Sequence, residues 1–361
     1  MFLDKAGRRK CRFVSVPDLA AWIKSGAGVR GDLVAEKING EVWNFTVGEG
    51  AKLVQRLQGM PVKLGDVADV FVGLQTSADD VFIMDLVSQT SRTRRLRSES
   101  LGAEVTLEKD LLFPLVSGAD VQGYAPLPER QFILFPYEVS AAGVRLLPLD
   151  EIEDRFPKTA EYLRRNQRRL EDREKGRMKR GLWHGYVYLK NMKRQGQIKI
   201  CVPRLVDRLC AGWDGEGTHF LDNVDVGGVT LKPAHADCDL RYLLALLNSR
   251  LLAWFFPHIS APFRGNWMSA NRQFLSQLPV RVIDHSDPAD RSRRDRLINL
   301  VEQMLTLHRQ AAEWKTARSS AALARQIAAT NAQIGQLVYG LYGLTAAEIR
   351  IVEGATAEIT K

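Results

Sequence analysis

The sequence predicts an α+β fold, in which a region of mixed strands with inserted helices is followed by an α-helical hairpin. From residue 61 to about 282, short apolar runs alternate with turn residues, a pattern typical of strands. After residue 286 the apolar residues recur at spacings of three and four, which is typical of helices. These changes predict three segments: a connecting segment over 1–60, a mixed domain over 61–285 and a helical hairpin over 286–361.

The strand-rich region begins with an unusual turn. Two apolar runs, 67–72 and 81–84, flank the polar stretch 73–80, which contains one glycine and ends in two aspartates. This arrangement predicts a hairpin that opens the mixed domain. Further strands are expected over 131–135, 198–202 and 220–231.

Helices are predicted before, within and after this region. Brief helices are expected near 18–23 and 48–57, and a longer one begins near Pro157, a favourable first-turn residue. An apolar helix over 240–255 carries Asn248 and Ser249, which we interpret as packing or capping residues. The C-terminal helices follow, with a stop at Gly343 and a capping box at 345–348.

Composition excludes several classes of protein. No apolar run reaches the ~20 residues of a membrane span, and residues 1–13 show no apolar signal-peptide core. The four cysteines are widely spaced and the six histidines never occur at metal-ligand spacing, so no zinc site, disulfide framework or other metal site is indicated. We expect a cytoplasmic protein with reduced thiols and no membrane contact.

Positive charge is concentrated in one part of the chain. The net charge of +9 comes from 51 basic and 42 acidic residues. Nine basic residues stand against three acidic ones between Arg164 and Arg180. Such a block favours a polyanionic partner, although a solvated helix face gives the same pattern.

Several short motifs occur in an order that resembles a known family. They are FVGLQT at 71–76, LFPLVSGADV at 112–121, FILFP at 132–136, FPKTAEYL at 156–163, LEDR at 170–173, WH at 183–184, IKI at 198–200, LALLNS at 244–249, LSQLP at 275–279 and IGQLVYGLYGLT at 334–345. Together with Trp43, they resemble the C-terminal specificity region of adenine-specific DNA methyltransferases, the TaqI-like and type IIG restriction-modification enzymes. The resemblance implies a domain that recognises a DNA target and serves in phage defence.

The catalytic half of that family is not recognisable. Such a methyltransferase needs a glycine-rich turn after a strand for S-adenosylmethionine and a Pro-Pro-aromatic loop for the flipped adenine. The sequence contains no Pro-Pro pair, and its short glycine pairs do not follow buried strands. We therefore assign no catalytic residue, and we expect S-adenosylmethionine to bind to a partner or to a domain outside this sequence.

Two sets of residues are candidates for contacts with double-stranded DNA. The first has helical spacing and then continues into a loop with Trp183, His184 and Tyr186; we predict that it contacts phosphates. Its members are Arg164, Arg165, Arg168, Arg169, Arg173, Lys175, Arg177, Lys179 and Arg180. The second set has side chains suited to base edges, although a polar loop covering the sheet explains it equally well. Its members are Arg264, Asn266, Asn271, Arg272 and Gln273.

The sequence therefore predicts the specificity half of an adenine-directed DNA methyltransferase or restriction-modification enzyme, itself non-catalytic. Its partner would be double-stranded DNA, and the methyltransferase would be either a separate subunit or the missing part of a longer protein of which this chain is a fragment. The alternative is a structural or protein-interaction module, in which the helical hairpin docks a partner and the recognition domain is degenerate.

Overall fold

A computed structural model describes residues 9–16, 18–34, 47–48, 50–179, 181–265, 267–313 and 317–358. Side chains are described for all of these except 317–319 and 355–358. Helices and mixed sheets are interleaved along the chain and helices alone follow at its C-terminal end, so the predicted α+β class is confirmed.

The described residues form sixteen strands in five sheets. In chain order the strands are β1 (Lys10–Ser15), β2 (Val29–Val34), β3 (Ala68–Val72), β4 (Ile83–Gln89), β5 (Thr93–Ser98), β6 (Ala103–Glu108), β7 (Leu112–Val116), β8 (Gln131–Leu134), β9 (Tyr137–Val139), β10 (Val144–Leu146), β11 (Lys199–Pro203), β12 (Leu205–Val206), β13 (Gly212–Asp214), β14 (Phe220–Leu221), β15 (Val226–Leu231) and β16 (Met268–Ser269).

Fifteen α-helical segments occur in the same described residues. In chain order they are α1 (Leu19–Ser25), α2 (Ala51–Gln58), α3 (Leu64–Val67), α4 (Asp79–Phe82), α5 (Leu149–Arg155), α6 (Pro157–Arg165), α7 (Gln167–Glu171), α8 (Arg173–Gly176), α9 (Met192–Gln195), α10 (Leu240–Leu247), α11 (Arg250–Phe255), α12 (Arg272–Leu275), α13 (Pro288–Glu313), α14 (Ala317–Leu341) and α15 (Ala346–Glu358).

The first hydrophobic core surrounds a four-stranded antiparallel sheet in the order β13-β11-β15-β3. Helices α2, α10, α11, α13, α14 and α15 all contribute buried side chains to it. Leu53, Val229, Leu297 and Val338 are each at most 1% exposed. The core thus draws on all three predicted segments; the boundaries at 60 and 285 stay a prediction.

The second core covers a six-stranded sheet in the order β14-β7-β8-β4-β5-β6. Only the β14–β7 pair is parallel among these strands. Helices α5, α6 and α7 pack on the same core through Ile152, Leu163 and Leu170, all fully buried. This packing fixes the position of the basic helices described below.

The stretch 73–80 connects the two cores, so the predicted hairpin is wrong. Strand β3 pairs with β15 in the first sheet, whereas β4 pairs with β5 and β8 in the second. Gly73 is required at the crossing because a Cβ atom there would lie 1.9 Å from the carbonyl oxygen of Leu221. An alternation of apolar runs predicts two strands but not that they belong to different sheets.

The predicted helices and their ends are largely confirmed. The apolar helix over 240–255 is two helices, α10 and α11, because Ser249 caps α11 through its hydroxyl group (3.2 Å to the Leu252 nitrogen). The side-chain amide of Asn248 accepts a hydrogen bond from the Ala211 nitrogen and donates one to the Ala211 carbonyl oxygen. Gly343 is left-handed, and Thr345 and Glu348 form the capping box of α15.

The N-terminal strands form a small antiparallel pair, β1–β2, joined by α1. Asp18 caps this helix, as its carboxylate accepts hydrogen bonds from the Ala20 and Ala21 nitrogens. None of its residues is buried, and Leu19 and Ile23 are 67% and 76% exposed. Among the described residues, no helix is long and apolar enough to cross a membrane.

Candidate nucleic-acid interface

The basic segment, residues 164–179, lies on the surface of the second core. Buried Tyr162, Leu163 and Leu170 hold one side of α6 and α7 against the six-stranded sheet. Arg164, Arg165, Arg168 and Arg169 lie on the opposite side of these helices, where they are exposed. After α7 the chain turns sharply: Glu174 and Lys175 have φ of 48° and 60°, followed by left-handed Gly176.

Carboxylates neutralise only part of this segment. Arg164 pairs with Glu153, Arg169 with Asp80 at 3.0 Å, and Lys179 with Asp172 at 3.2 Å. Four further cations are exposed and have no ion-pair partner among the described residues. These are Arg165, Arg168, Lys175 and Arg177, and we call them the open cations.

Arg173 does not belong to the phosphate-contacting set, which corrects the prediction. Its side chain is buried, and its guanidinium group donates to the carbonyl oxygens of Leu170 and Thr76, both at 2.9 Å. It also donates to the carbonyl oxygens of Trp183 and Gly185, at 2.5 and 2.8 Å. Burial lowers the pKa of Arg173 to about 10, which still leaves it charged at neutral pH. Helical spacing alone could not separate this inward arginine from its exposed neighbours.

The aromatic residues after the basic segment are also buried, which corrects their placement on a DNA-contacting loop. Trp183, His184 and Tyr186 are at most 7% exposed. Nε2 of His184 lies 2.9 Å from the Leu147 carbonyl oxygen. The Tyr186 hydroxyl donates to the Leu134 carbonyl oxygen at 2.6 Å. Burial lowers the pKa of His184. These buried rings hold the chain after the basic segment against the second core. They are not available to a partner, which could contact only the exposed cations of the basic segment.

A second candidate surface is a hairpin whose described residues are 261–265 and 267–269, which we call the aromatic hairpin. Pro262 bridges Met268, and the Phe263 nitrogen donates to the Trp267 carbonyl oxygen at 2.7 Å. Its return strand, β16, pairs with β12 on the first core. Gly265 has φ of +69°, a left-handed conformation that glycine adopts without strain.

The predicted base-reading residues differ in their surroundings. Arg264, Arg272 and Gln273 are exposed on or directly after the hairpin. Asn271 is half-buried: its amide accepts from the Gln273 nitrogen and donates to the Ser269 hydroxyl, both at 3.0 Å. It is therefore the cap of α12, which corrects its inclusion among free base readers. Predicted residues Arg180 and Asn266 lie outside the described residues.

Sequence reasoning missed the two aromatic side chains of this hairpin. Phe263 is 56% and Trp267 48% exposed, and no other phenylalanine or tryptophan in the described part of the chain is this exposed. Pro262 directly before Phe263, and Gly265 between Phe263 and Trp267, gave a turn signal. The signal indicated a turn but not whether its rings faced the core or solvent.

The chain segment that carries the hairpin lacks acidic residues, although exposed Asp207 directly follows Val206, which pairs with Met268 in the β12–β16 ladder. The sequence from residue 240 to residue 283 contains five arginines and no aspartate or glutamate. Within the described residues, no group of three or more His, Cys, Asp or Glu is placed to hold a metal ion. Exposed arginines in this stretch, such as Arg264 and Arg272, would attract a polyanion.

Comparison with known proteins identifies the class of this region. Residues 114–280 match the TaqI-like C-terminal specificity domain, and the resemblance seen in the sequence is confirmed there. The matched segment contains the basic segment and the aromatic hairpin. Strands β3 to β6 precede it, although they complete both large sheets.

One full-length relative extends the similarity. The chain is 22% identical over 365 residues to the type II restriction enzyme and methyltransferase RM.Eco57I of Escherichia coli. The alignment covers 95% of this chain but 36% of that protein, so the chain spans about a third of the relative's length.

Proposed function

We propose that this chain binds double-stranded DNA sequence-specifically, as the specificity half of an adenine-directed, type IIG-like restriction-modification enzyme that serves in phage defence. The observation that carries the proposal is the position of the open cations within a segment that matches a specificity domain. Four exposed cations, which have no acidic partner among the described residues, favour a polyanion, and the matched class supports DNA as that polyanion.

The two surfaces would divide the work of recognition. The basic segment presents charge over several turns, which suits contacts with phosphates along a duplex. The aromatic hairpin presents Arg264, with Arg272 and Gln273 close by in sequence, and such side chains can bond base edges in a groove. Phosphate contacts would position the duplex, and hairpin contacts would select the sequence.

The chain itself would be non-catalytic, and S-adenosylmethionine would bind to a partner or to a domain outside this sequence. The absence of a Pro-Pro-aromatic loop from the sequence supports this. Calorimetry of the purified chain with S-adenosylmethionine tests it. We expect no binding heat; stoichiometric binding would contradict the proposal.

A protein-interaction role is the second candidate, and one observation favours it. Helix α1 exposes Leu19 and Ile23 and buries no residue. A two-stranded sheet with one short helix is marginally stable alone, so a protein covering this face would stabilise it. A separate methyltransferase subunit is the partner that we propose for it.

Fluorescence anisotropy with labelled duplexes at increasing salt tests DNA binding. The wild-type chain should bind, with an affinity that falls steeply as salt rises. Replacing all four open cations with alanine should flatten that dependence by about 0.9 in log–log slope for each lost contact. Arg155→Ala is the matched control, since Arg155 is exposed but already paired with Glu151 at 2.7 Å. Equal loss in the control, or wild-type binding without salt dependence, would contradict the proposal.

A further inference from the structure

We propose that the aromatic hairpin acts as a wedge: Phe263 and Trp267 insert between neighbouring bases of the bound duplex and unstack them. The inference rests on the DNA-binding function proposed above and adds a distinct mode of contact to it. Hydrogen bonding to base edges leaves the base stack intact, whereas an inserted ring opens a step and kinks the duplex.

The base of the hairpin is held firmly on the first core. The Ser269 nitrogen donates to the Ala261 carbonyl oxygen at 3.0 Å. The Ser260 hydroxyl donates to the Ser269 carbonyl oxygen at 2.7 Å. Buried Ala270 donates its N–H to the Arg204 carbonyl oxygen at 2.8 Å. A hairpin that separates two stacked nucleobases has to be rigid. The hydrogen bonds between its strands and to the first core make this hairpin rigid below its tip.

The tip itself exposes its apolar side chains. Phe263 and Trp267 face each other across the turn, where the Phe263 N–H donates to the Trp267 carbonyl oxygen. Both are about half exposed, whereas most of the other phenylalanine and tryptophan rings in the described residues are buried. Exposing two large rings at one turn costs hydrophobic free energy, which a stacking partner would recover.

The positive charge of the hairpin favours nucleic acid as the stacking partner. Arg264 lies between the two aromatic residues, and the sequence contains no carboxylate from residue 240 to residue 283. Aromatic side chains interleaved with arginine combine stacking on bases with attraction to phosphates. A tip that carries Arg264 and no carboxylate of its own fits a DNA step better than an acidic or neutral protein surface.

Permanganate oxidation of thymines measures unstacking directly, since it attacks thymines whose faces are exposed. The probe is a duplex pool enriched by the wild-type chain. Two variants are compared: the double alanine variant, Phe263→Ala with Trp267→Ala, and the single variant Trp267→Phe. Leu189→Ala is the matched control, because Leu189 is 64% exposed but lies outside the hairpin. All variants should keep the wild-type melting temperature, because the altered side chains are exposed.

We expect the wild type, Trp267→Phe and Leu189→Ala to make thymines at one step hyperreactive. The double alanine variant should still shift the duplex, about tenfold more weakly or worse, without hyperreactive thymines. Duplex binding by the wild type without hyperreactivity, or hyperreactivity that survives the double substitution, overturns the wedge alone. A wild-type chain that fails to shift any duplex overturns the DNA-binding function as well, so the two failures are distinguishable.

Discussion

The basic segment and the aromatic hairpin both expose arginines, but the two regions hold them differently. The basic segment spreads its cations over helices on the second core, and carboxylates neutralise three of them. The hairpin on the first core presents Arg264 between two exposed rings, in a stretch without acids. A spread of partly balanced charge positions a polyanion, whereas a single shaped tip can discriminate between sites.

The largest expected effect separates Arg173 from the other residues of the basic segment. Arg173→Ala would leave four backbone carbonyl oxygens without their donor, and hydrogen bonds to charged groups contribute about 1.5–3 kcal/mol each. We expect a free energy of unfolding lower by about 3 kcal/mol or more, measured by urea denaturation.

Arg177→Ala is the matched control for that experiment, because Arg177 is exposed in the same segment. Its effect on stability should stay within about 0.5 kcal/mol. Equal stability of the two variants would show that Arg173 is a surface residue like its neighbours.

The next effect concerns the hairpin. Arg264→Ala should cost about 1–3 kcal/mol on the preferred duplex and far less on unrelated duplexes, if Arg264 bonds a base edge. Arg272→Ala tests the exposed position after the cap in the same way. Anisotropy on preferred and scrambled duplexes gives both values. A loss of equal size on both duplexes would instead assign these arginines to phosphates.

A smaller, sequence-independent effect is expected from the open cations. Arg165→Ala with Arg168→Ala should flatten the slope of log affinity against log salt by about 1.8, which is 0.9 for each contact. Binding to preferred and scrambled duplexes should weaken equally. An unchanged slope would mean that the basic segment does not contact the duplex.

The smallest effect compares two adjacent arginines. Arg169 is bound to Asp80 through two hydrogen bonds, of 3.1 and 3.0 Å, whereas Arg168 has no described acidic partner. We therefore expect Arg169→Ala to change the salt slope by less than Arg168→Ala does. Asp80→Asn, which releases Arg169, should steepen the slope. The reverse order would show that Arg169 leaves Asp80 to contact DNA.

Local patterns in the sequence predicted the elements well. Helical periodicity located α2, α6, α10, α13 and α14, and the capping residues of α11 and α15 followed from hydrogen-bonding chemistry. The order of motifs gave the specificity domain that the comparison confirmed. These features depend on neighbours in the chain, which the sequence displays directly.

Tertiary features could not be predicted in the same way. The stretch 73–80 resembles a hairpin, but the strands on either side join different sheets through pairings with distant residues. Arg173 and Trp183 resemble surface residues until the second core is assembled around them. Phe263 and Trp267 resemble core residues, yet the strand pairing beneath them projects both rings into solvent.

Binding-site selection on three chains tests the division of work between these regions most directly. The chains are the wild type, the Arg165→Ala, Arg168→Ala variant and the Arg264→Ala, Arg272→Ala variant, each selecting duplexes from the same randomised pool. The basic-segment variant should enrich the wild-type sequence with lower affinity, whereas the hairpin variant should enrich a relaxed or altered one. An unchanged preference in the hairpin variant, together with an altered preference in the basic-segment variant, would contradict the assignment of both regions.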